Sequence, residues 1–276
     1  MAALASYLDA RAAGGRWLVR MEDLDEPRNV SGADRLILQQ LQQLGMQWDG
    51  EVIYQSDRHA SYEAAFEQLR KQGLLYPCGC SRKEIADSVL ALHGEFPLGE
   101  RPYPGTCRDG LKPGRLAKSW RLRVDPGVIS FEDRWYGLQS QDVQAVVGDF
   151  VLRRADGPWA YQLAVVVDDA WQGVTHVVRG SDLLTSTARQ ILLGRLLGLP
   201  DLRYMHIPVV MDVHGRKLSK QNGAPAIDTR DPLAVLEQAW VSLGFDRFGA
   251  TNLQSFFSGA IEMWSSDLRT SPLAPS

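Results

Sequence analysis

The sequence predicts an α/β fold with a parallel sheet, which is interrupted by a small inserted segment that binds a metal ion. Short apolar runs rich in β-branched residues alternate with longer helical patterns, which is typical of parallel sheets covered by helices. All three cysteines lie between residues 78 and 107, in an irregular stretch. Apolar residues make up 45% of the 276 residues, which is enough for a sizeable core.

The first quarter of the chain contains two strand–helix units after an initial helix. We expect strands at 16–21 and 51–55, and helices at 2–13, 33–44 and 62–71. Ser31 and Ser56 are the expected N-caps of the second and third helices. Strands and helices that alternate at these lengths predict parallel pairing of the two strands.

The middle of the chain is predicted to leave this sheet and return to it. Residues 76–107 are irregular apart from a short helix near 82–92, and we expect the runs 120–124 and 128–136 to form an antiparallel pair. Residues 150–154 and the stretch 161–183 return to the main sheet. A further strand is expected at 205–211, helices at 231–243 and 253–264, and disorder after residue 270.

The stretch 161–183 contains the clearest signal for binding. An apolar run at 163–167 ends at Asp168 and Asp169, and a second run at 174–178 ends at Arg179 and Gly180, just before a helical pattern. Such a strand end brings a cation, a small residue and a helix N-terminus together, and open α/β sheets bind anions there. The alternative is an ordinary turn in which Arg179 makes a surface ion pair.

Three acids follow the first expected strand, namely Glu22, Asp23 and Asp25. Carboxylates at the carboxyl end of a parallel strand can bind an ammonium group or a ribose hydroxyl. Acids that cap the next helix are the alternative.

A basic loop follows the expected strand 205–211, where Lys217 and Lys220 flank Ser219. Two lysines in a loop after a strand can bind a triphosphate. The alternative is a solvated basic loop without a ligand.

The cysteines predict a zinc site. Cys78, Cys80 and Cys107 supply three ligands, and zinc in proteins takes four in a tetrahedron. Candidates for the fourth are His93, which ligand preferences favour, and Tyr103. The alternative is three reduced structural cysteines, but an irregular segment with a weak core needs a metal to hold it together.

Charge and cysteine usage limit the class of protein. The net charge of −3 excludes a polycation, so any contact with nucleic acid must come from a local patch. An odd number of cysteines, with no secretory leader and no apolar run of about 20 residues, predicts a soluble protein of the cytoplasm without membrane contact. We expect a monomer.

Together these segments resemble the glutamyl-type class I aminoacyl-tRNA synthetases. Residues 20–25 are similar to their R-x-E-D-x-D block, 161–169 and 176–182 to their central block, and 217–221 to their Lys-Met-Ser-Lys-Ser loop. The similarity is closest to the short branch that has a catalytic domain and a zinc-bearing insert but no anticodon-binding domain. It implies a Rossmann-like catalytic domain at 1–75 and 149–246, an insert at 76–148, and a C-terminal helix and tail at 247–276.

The resemblance also implies roles for single residues. The implied site residues are Glu22, Tyr161 and Arg179 for glutamate, Lys217 and Lys220 for catalysis, Lys220 for ATP, and Cys78, Cys80, Tyr103 and Cys107 for zinc. Glu22 would bind the α-ammonium group of glutamate, and Arg179 would pair with a carboxylate. Tyr103 thereby replaces His93 as the fourth zinc ligand.

The implied reaction is the ATP-dependent activation of glutamate, with Mg²⁺ bound to ATP. The glutamyl group then passes to a hydroxyl of queuosine in the anticodon of tRNA(Asp). Such a phosphoryl-centred step needs positioning and positive charge more than a protein nucleophile. The sequence contains no Ser-His-Asp set that this reaction would leave unused.

One part of the family pattern is absent. The family begins with a strand and a His-x-Gly signature, which bind ATP, whereas this chain opens inside the first helix. We favour a start codon further upstream. The alternatives are a truncated, inactive, zinc-stabilised module that binds tRNA or another ligand, and the catalytic part of a glutamyl-tRNA synthetase. Fewer than 60 residues follow Lys220, too few for an anticodon-binding domain.

Overall fold

The computed structural model describes residues 1–25, 29–93, 102–154, 157–211 and 227–270. Its helices are α1 (Ala2–Ala12), α2 (Ala33–Gln43), α3 (His59–Lys71), α4 (Arg82–His93), α5 (Val143–Val146), α6 (Tyr161–Trp171), α7 (Leu184–Leu197), α8 (Pro232–Ser242) and α9 (Leu253–Thr270). Its strands are β1 (Arg20–Met21), β2 (Ile53–Tyr54), β3 (Leu75–Cys78), β4 (Ser119–Leu122), β5 (Val128–Asp133), β6 (Gly137–Asp142), β7 (Val151–Arg153), β8 (His176–Gly180) and β9 (Arg203–Ile207). The predicted α/β class is confirmed.

Parallel pairing, as predicted, occurs in two places. β1 and β2 pair in parallel, with Arg20 opposite Ile53. β8 and β9 pair in parallel over five residues, and β5 joins β9 in parallel at Asp133, which lies opposite Tyr204. β6 is antiparallel to β5, so the larger sheet has the order β6-β5-β9-β8. The carboxyl ends of β8 and β9 therefore lie at one edge of that sheet, where α/β folds place their binding sites.

The expected antiparallel pair of 120–124 with 128–136 is wrong. β4 pairs instead with β3 and β7 in a separate three-stranded sheet, and β5 pairs with β6 and β9. A tight turn explains why β5 pairs with β6. Asp133 accepts the backbone N–H groups of Trp135 and Tyr136, and Gly137, with a positive φ of 68°, begins the return strand. This local hairpin ends β5 at Asp133 and fixes its partner.

Two segments expected in the main sheet lie elsewhere. The segment 150–154 contains β7, which pairs with β4 and not with β8 or β9. The apolar run 163–167 belongs to helix α6, in which Leu163, Ala164 and Asp168 are fully buried. Because these three positions follow helical spacing, they face one side of a helix, which packs on α7 and α3.

Helix starts differ from the expected caps. α2 begins after Gly32, so Ser31 is not its N-cap. A 3-10 turn at Gln55–Arg58 precedes α3, and Ser56 lies inside it. The backbone N–H and the hydroxyl of Ser56 both donate to the carboxylate of Asp23, at 2.9 and 2.6 Å. Asp23 therefore holds this turn beside the end of β1.

The core has two large apolar clusters and a small one. The first joins α1, α8 and α9 to the strand residues of β1 and β9, with Trp240 and Trp264 at 0 and 1% exposure. The second joins α3, α6 and α7 to β4 and β7 around Tyr62 and Leu163. The third surrounds Cys78 and Cys107. So small a cluster cannot by itself hold the irregular segment, because its apolar area is too limited.

A buried carboxylate joins the first helix to the last. Asp9, 5% exposed, accepts from Nη1 and Nη2 of Arg134, both at 2.8 Å, and from Nε1 of Trp264 at 3.1 Å. All three bonds cross between distant parts of the chain. Asp9 thus connects α1, the turn after β5 and α9.

Replacing Asp9 with alanine is expected to lower the free energy of unfolding by about 2–4 kcal/mol, because it leaves a guanidinium and a buried indole N–H without their acceptor. Urea unfolding followed by tryptophan fluorescence measures the change. Asp201→Ala is the control, since Asp201 pairs with Arg195 on the surface and its side chain is 64% exposed. Equal unfolding midpoints for the two variants would contradict the role of Asp9.

Candidate functional site

Residues at the end of β1 bind the C-terminal end of α6. Arg20 donates from Nη1 to Oε1 of Gln172 at 2.7 Å and from Nη2 to Oδ1 of Asp169 at 2.8 Å. The same Nη2 lies 3.4 Å from Oε1 of Glu22. The side chains of Arg20 and Asp169 are only 12 and 11% exposed. This buried ion pair fixes the end of β1 against the C-terminal end of α6.

Glu22 and Tyr161 both lie within range of the charge of Arg179. Loss of solvation raises the pKa of Glu22, although 41% of its side chain is exposed, and the charges of Arg20 and Arg179 act in the opposite direction. Burial also raises the pKa of Tyr161, and Arg179 again opposes it. Since the charge of one guanidinium acts on both groups, the three predicted glutamate-binding residues lie close together. That they bind glutamate stays a prediction.

The neighbouring acids have structural partners. Asp25 lies 3.4 Å from Nη1 of Arg154. Asp168 is fully buried and accepts from Gln55, Arg58 and Tyr62 at 2.9, 2.5 and 2.6 Å. Because both oxygens of Asp168 are already used, it is not a candidate for substrate binding. Glu22 is the acid of the 22–25 cluster on which the charge of Arg179 acts.

Among the residues that the structure describes, Arg179 does not make the surface ion pair that was the alternative. Arg179 is partly buried, and its hydrogen bonds go to Nε2 of His206 at 3.0 Å and to Oγ1 of Thr187 at 2.9 Å. The glycine that follows it lies close to two side chains: a Cβ at Gly180 would lie 2.4 Å from Oδ1 of Asp182 and 3.0 Å from Val209, so both would have to shift for a larger residue. The close approach at Gly180 is therefore explained by side chains of the protein itself.

The basic loop lies outside the described residues, so the predicted roles of Lys217 and Lys220 stay predictions. The strand expected at 205–211 is shorter, since β9 ends at Ile207.

Three contributors to the site were not predicted from the sequence: Asp133, Thr187 and His206. His206 is fully buried, and its Nδ1 lies 2.7 Å from Oδ2 of Asp133. Asp133 also accepts the backbone N–H of His206. The one sequence signal was a histidine with polar nitrogens inside an apolar strand, which needs buried partners.

The cysteines form a compact group with Tyr103. The Sγ atoms of Cys78, Cys80 and Cys107 all lie within 4.8 Å of one another, and Cys80 is 3.5 Å from Cys107. Oη of Tyr103 lies 3.3 Å from Sγ of Cys78 and 3.6 Å from Sγ of Cys80. In a tetrahedral zinc site with sulfurs at about 2.3 Å from the metal, neighbouring ligands are about 3.5–3.8 Å apart. The three sulfurs are therefore close enough to share one metal ion, and Oη of Tyr103 lies at a ligand-to-ligand distance from two of them.

Backbone packing fixes Tyr103 in this group. Its N–H donates to the carbonyl of Val147 at 3.1 Å, and Gly148 lies directly against it. A Cβ at Gly148, which has a φ of 69°, would be 2.5 Å from the carbonyl oxygen of Tyr103. Only glycine allows this approach. The guanidinium of Arg121 stacks on the Tyr103 ring at 3.8 Å from its centroid.

The thiols differ in acidity. Burial favours the neutral form of Cys78, but its contacts with Tyr103 and Arg121 outweigh burial and lower the pKa to about 7. Burial raises the pKa of Cys80 to about 11. A cation that approached the group at neutral pH would meet a thiolate at Cys78 first. The side chain of the other predicted candidate, His93, lies outside the described part of the structure.

No helix among the described residues is both long enough and apolar enough to span a bilayer.

The chain is similar to known proteins over most of its length. The model of the family described as tRNA synthetases class I (E and Q), catalytic domain, matches residues 1–267. A glutamyl-Q tRNA(Asp) synthetase from Bordetella bronchiseptica is 60% identical over 266 residues, which are 96% of this chain and 83% of the relative. One from Burkholderia orbicola is 56% identical over 268 residues, 95% of this chain and 89% of the relative.

Two solved structures share the fold. A glutamate tRNA ligase from Elizabethkingia meningosepticum, in complex with its amino acid, has a TM-score of 0.68 and 26% identity over 80% of this chain. The glutamate-tRNA synthetase from Elizabethkingia anophelis has a TM-score of 0.69 and 26% identity over 80% of this chain. The chain spans about half the length of these two proteins, 48 and 49%.

Proposed function

Because the chain belongs to the class I tRNA synthetases (E and Q), and is thus a ligase of the aminoacyl-tRNA synthetase type, we propose that it activates glutamate with ATP and transfers the glutamyl group to queuosine in the anticodon of tRNA(Asp). The observation that carries the proposal is that the charge of Arg179 acts on both Glu22 and Tyr161, and we propose that these three residues line a glutamate-binding cleft. The names of the relatives from Bordetella and Burkholderia support the choice of acceptor.

The cleft has the charges that an acidic amino acid requires. Arg179 would pair with a carboxylate of glutamate, and Glu22 would accept from the α-ammonium group. An ammonium group beside Glu22 would favour the ionised carboxylate and so oppose the effect of burial on its pKa. The hydroxyl of Tyr161 would contribute a hydrogen bond to the same substrate.

Activation is the attack of a carboxylate oxygen of glutamate on the α-phosphorus of ATP. The bond to the bridging oxygen breaks, and glutamyl-adenylate and pyrophosphate form. Mg²⁺ bound with ATP would supply positive charge at the phosphates. Lys217 and Lys220 would neutralise the charge that develops on them. A hydroxyl of queuosine then attacks the glutamyl carbonyl, and AMP leaves.

The metal centre has a structural role in this proposal. Cys78, Cys80, Tyr103 and Cys107 would hold one zinc ion, supported by the spacing of their ligand atoms. Four protein ligands leave no open position for water or substrate, so the ion would stabilise the segment around α4 and not take part in chemistry.

Glutamate-dependent exchange between ATP and pyrophosphate, without any tRNA, tests the activation step. It is expected from the chain, or from a form extended by any in-frame codons upstream of Met1. Lys220→Ala is expected to slow the exchange by about 10²-fold, because it removes a charge aimed at the phosphates. Lys71→Ala is the control, since Lys71 is exposed at the end of α3.

The acceptor is tested with tRNA(Asp) that carries queuosine, tRNA(Asp) without it, and tRNA(Glu). Glutamylation of the first alone supports the proposal, and preference for tRNA(Glu) indicates the catalytic part of a glutamyl-tRNA synthetase. No exchange by either form, together with tRNA binding that weakens with salt, would identify an inactive binding module and overturn the proposal.

A further inference from the structure

The guanidinium of Arg179 is held along one edge. Its Nε donates to Nε2 of His206 at 3.0 Å, and its Nη2 donates to Oγ1 of Thr187 at 2.9 Å. These bonds use two of the five N–H donors of an arginine. Nε and one N–H of Nη2 form one edge of the planar group. Among the described residues the other edge, formed by Nη1 and the second N–H of Nη2, makes no hydrogen bond, and its geometry suits the two oxygens of a carboxylate.

His206 can accept this bond in only one tautomer. Arg179 has no acceptor atom in its guanidinium, so Nε2 of His206 must be the acceptor and carry no proton. The proton then lies on Nδ1, which is 2.7 Å from Oδ2 of Asp133. A carboxylate beside Nδ1 selects this tautomer, because it can only accept. Asp133 and His206 are both buried, at 1 and 0% exposure, so water does not compete for these contacts.

The supporting residues come from different elements. Asp133 ends β5, His206 lies in β9, Thr187 lies in the first turn of α7 and Arg179 lies near the end of β8. The parallel register places Arg179 opposite His206. Asp133 is also fixed by three backbone N–H groups, those of Trp135, Tyr136 and His206. The direction of the guanidinium is therefore determined by the rigid sheet and α7.

We propose that His206, in the tautomer selected by Asp133, is a positioning residue that aims Arg179 at the carboxylate of the amino-acid substrate. The inference rests on the proposed function, since it concerns the affinity of the same cleft for glutamate. A histidine with a purely structural role would make its hydrogen bonds to other groups of the sheet. His206 instead directs its second nitrogen at the cation of the cleft.

Replacing His206 with leucine removes the acceptor at a similar volume. The dissociation constant for L-glutamate, measured by calorimetry, is expected to rise by about 10- to 100-fold, which is typical for the loss of a hydrogen bond to a charged group. In exchange assays the KM for glutamate rises and the KM for ATP stays unchanged. His206→Gln, which can present an amide oxygen near the position of Nε2, recovers most of the affinity. His176→Leu, the same change at an exposed position of β8, leaves it unchanged.

A double-mutant cycle separates positioning from a general effect on the fold. In an Arg179→Gln background, His206→Leu is expected to cause little further loss of glutamate affinity. Once Arg179 is replaced, His206 has no guanidinium left to direct. If His206→Leu does not fold, Thr187→Val replaces it in the cycle, because this change of similar volume removes the contacts of Oγ1 with Nη2 of Arg179 and with Nε2 of His206 at 3.1 Å.

The outcomes distinguish this inference from the function on which it rests. If the wild type binds no glutamate, the proposed function fails and the inference fails with it. If the wild type binds glutamate while His206→Leu, or Thr187→Val in its place, binds equally well, only the inference is overturned. Losses that add fully in the cycle also overturn it, since they show that His206 does not act through Arg179.

Discussion

Replacing Arg179 with glutamine is expected to weaken L-glutamate binding by about 10²- to 10³-fold, with a similar fall in kcat/KM for amino-acid activation. Arg179 is the cation that acts on both Glu22 and Tyr161. Without it a bound carboxylate would lie near the carboxylates of Glu22 and Asp169, and Arg20 is already paired with Asp169. Calorimetry with L-glutamate, together with thermal unfolding, measures the effect.

Arg179→Lys is expected to recover little of this loss. A lysine has one cationic nitrogen, which cannot bond to His206 and Thr187 and still offer two parallel donors to a carboxylate. Arg195→Gln is the matched control, since Arg195 lies on α7 and pairs with Asp201 at the surface. Glutamate affinity that survives in Arg179→Gln would remove Arg179 from the substrate site.

Replacing Cys107 with serine is expected to abolish stoichiometric zinc binding and to unfold the segment around α4. Cys107 is 3% exposed, and its Sγ lies 3.5 Å from that of Cys80. Structural zinc contributes about 10 kcal/mol or more in small metal-dependent domains, whereas the apolar cluster around these cysteines is small. Metal analysis is expected to change from about one zinc per chain to none.

Limited proteolysis checks the structural part of this prediction. Cleavage within 76–118 is expected to become fast in Cys107→Ser, and a chelator is expected to produce the same pattern in the wild type. His93→Ala is the control and is expected to keep its zinc. If zinc is lost in His93→Ala and retained in Cys107→Ser, the ligand set with Tyr103 is wrong.

Local sequence patterns were sufficient to select candidate site residues by the charge or the metal affinity of their side chains. Glu22 follows β1 and Arg179 lies near the end of β8, and the charge of Arg179 acts on Glu22, while their binding of glutamate stays a prediction. Cys78 and Cys107 were recognisable because the remaining stretch has few other means of stabilisation. In each case one short segment contained enough information.

Contacts between distant segments could not be predicted in the same way. Asp133 and His206 are 73 residues apart, and they meet because β5 joins β9 at a single register position. Residues 120–124 and 128–136 were expected to pair with each other. In the structure β4 pairs with β3 and β7, and β5 pairs with β6 and β9. The apolar run of α6 contains three successive valines, which favour strands by local propensity, but burial of one helical face overrides that preference.

The connection between α1 and α9 has a consequence for how the protein is made. The buried face of α1, with Leu4, Leu8 and Asp9, is completed by Trp240 and by Trp264 of α9. A ribosome releases the first helix long before it has synthesised residue 264. During translation α1 therefore lacks these two tryptophans until α8 and α9 have emerged, although Trp17 and Leu44 of the same cluster are made much earlier. This side of the core is therefore completed only after α8 and α9 have been synthesised.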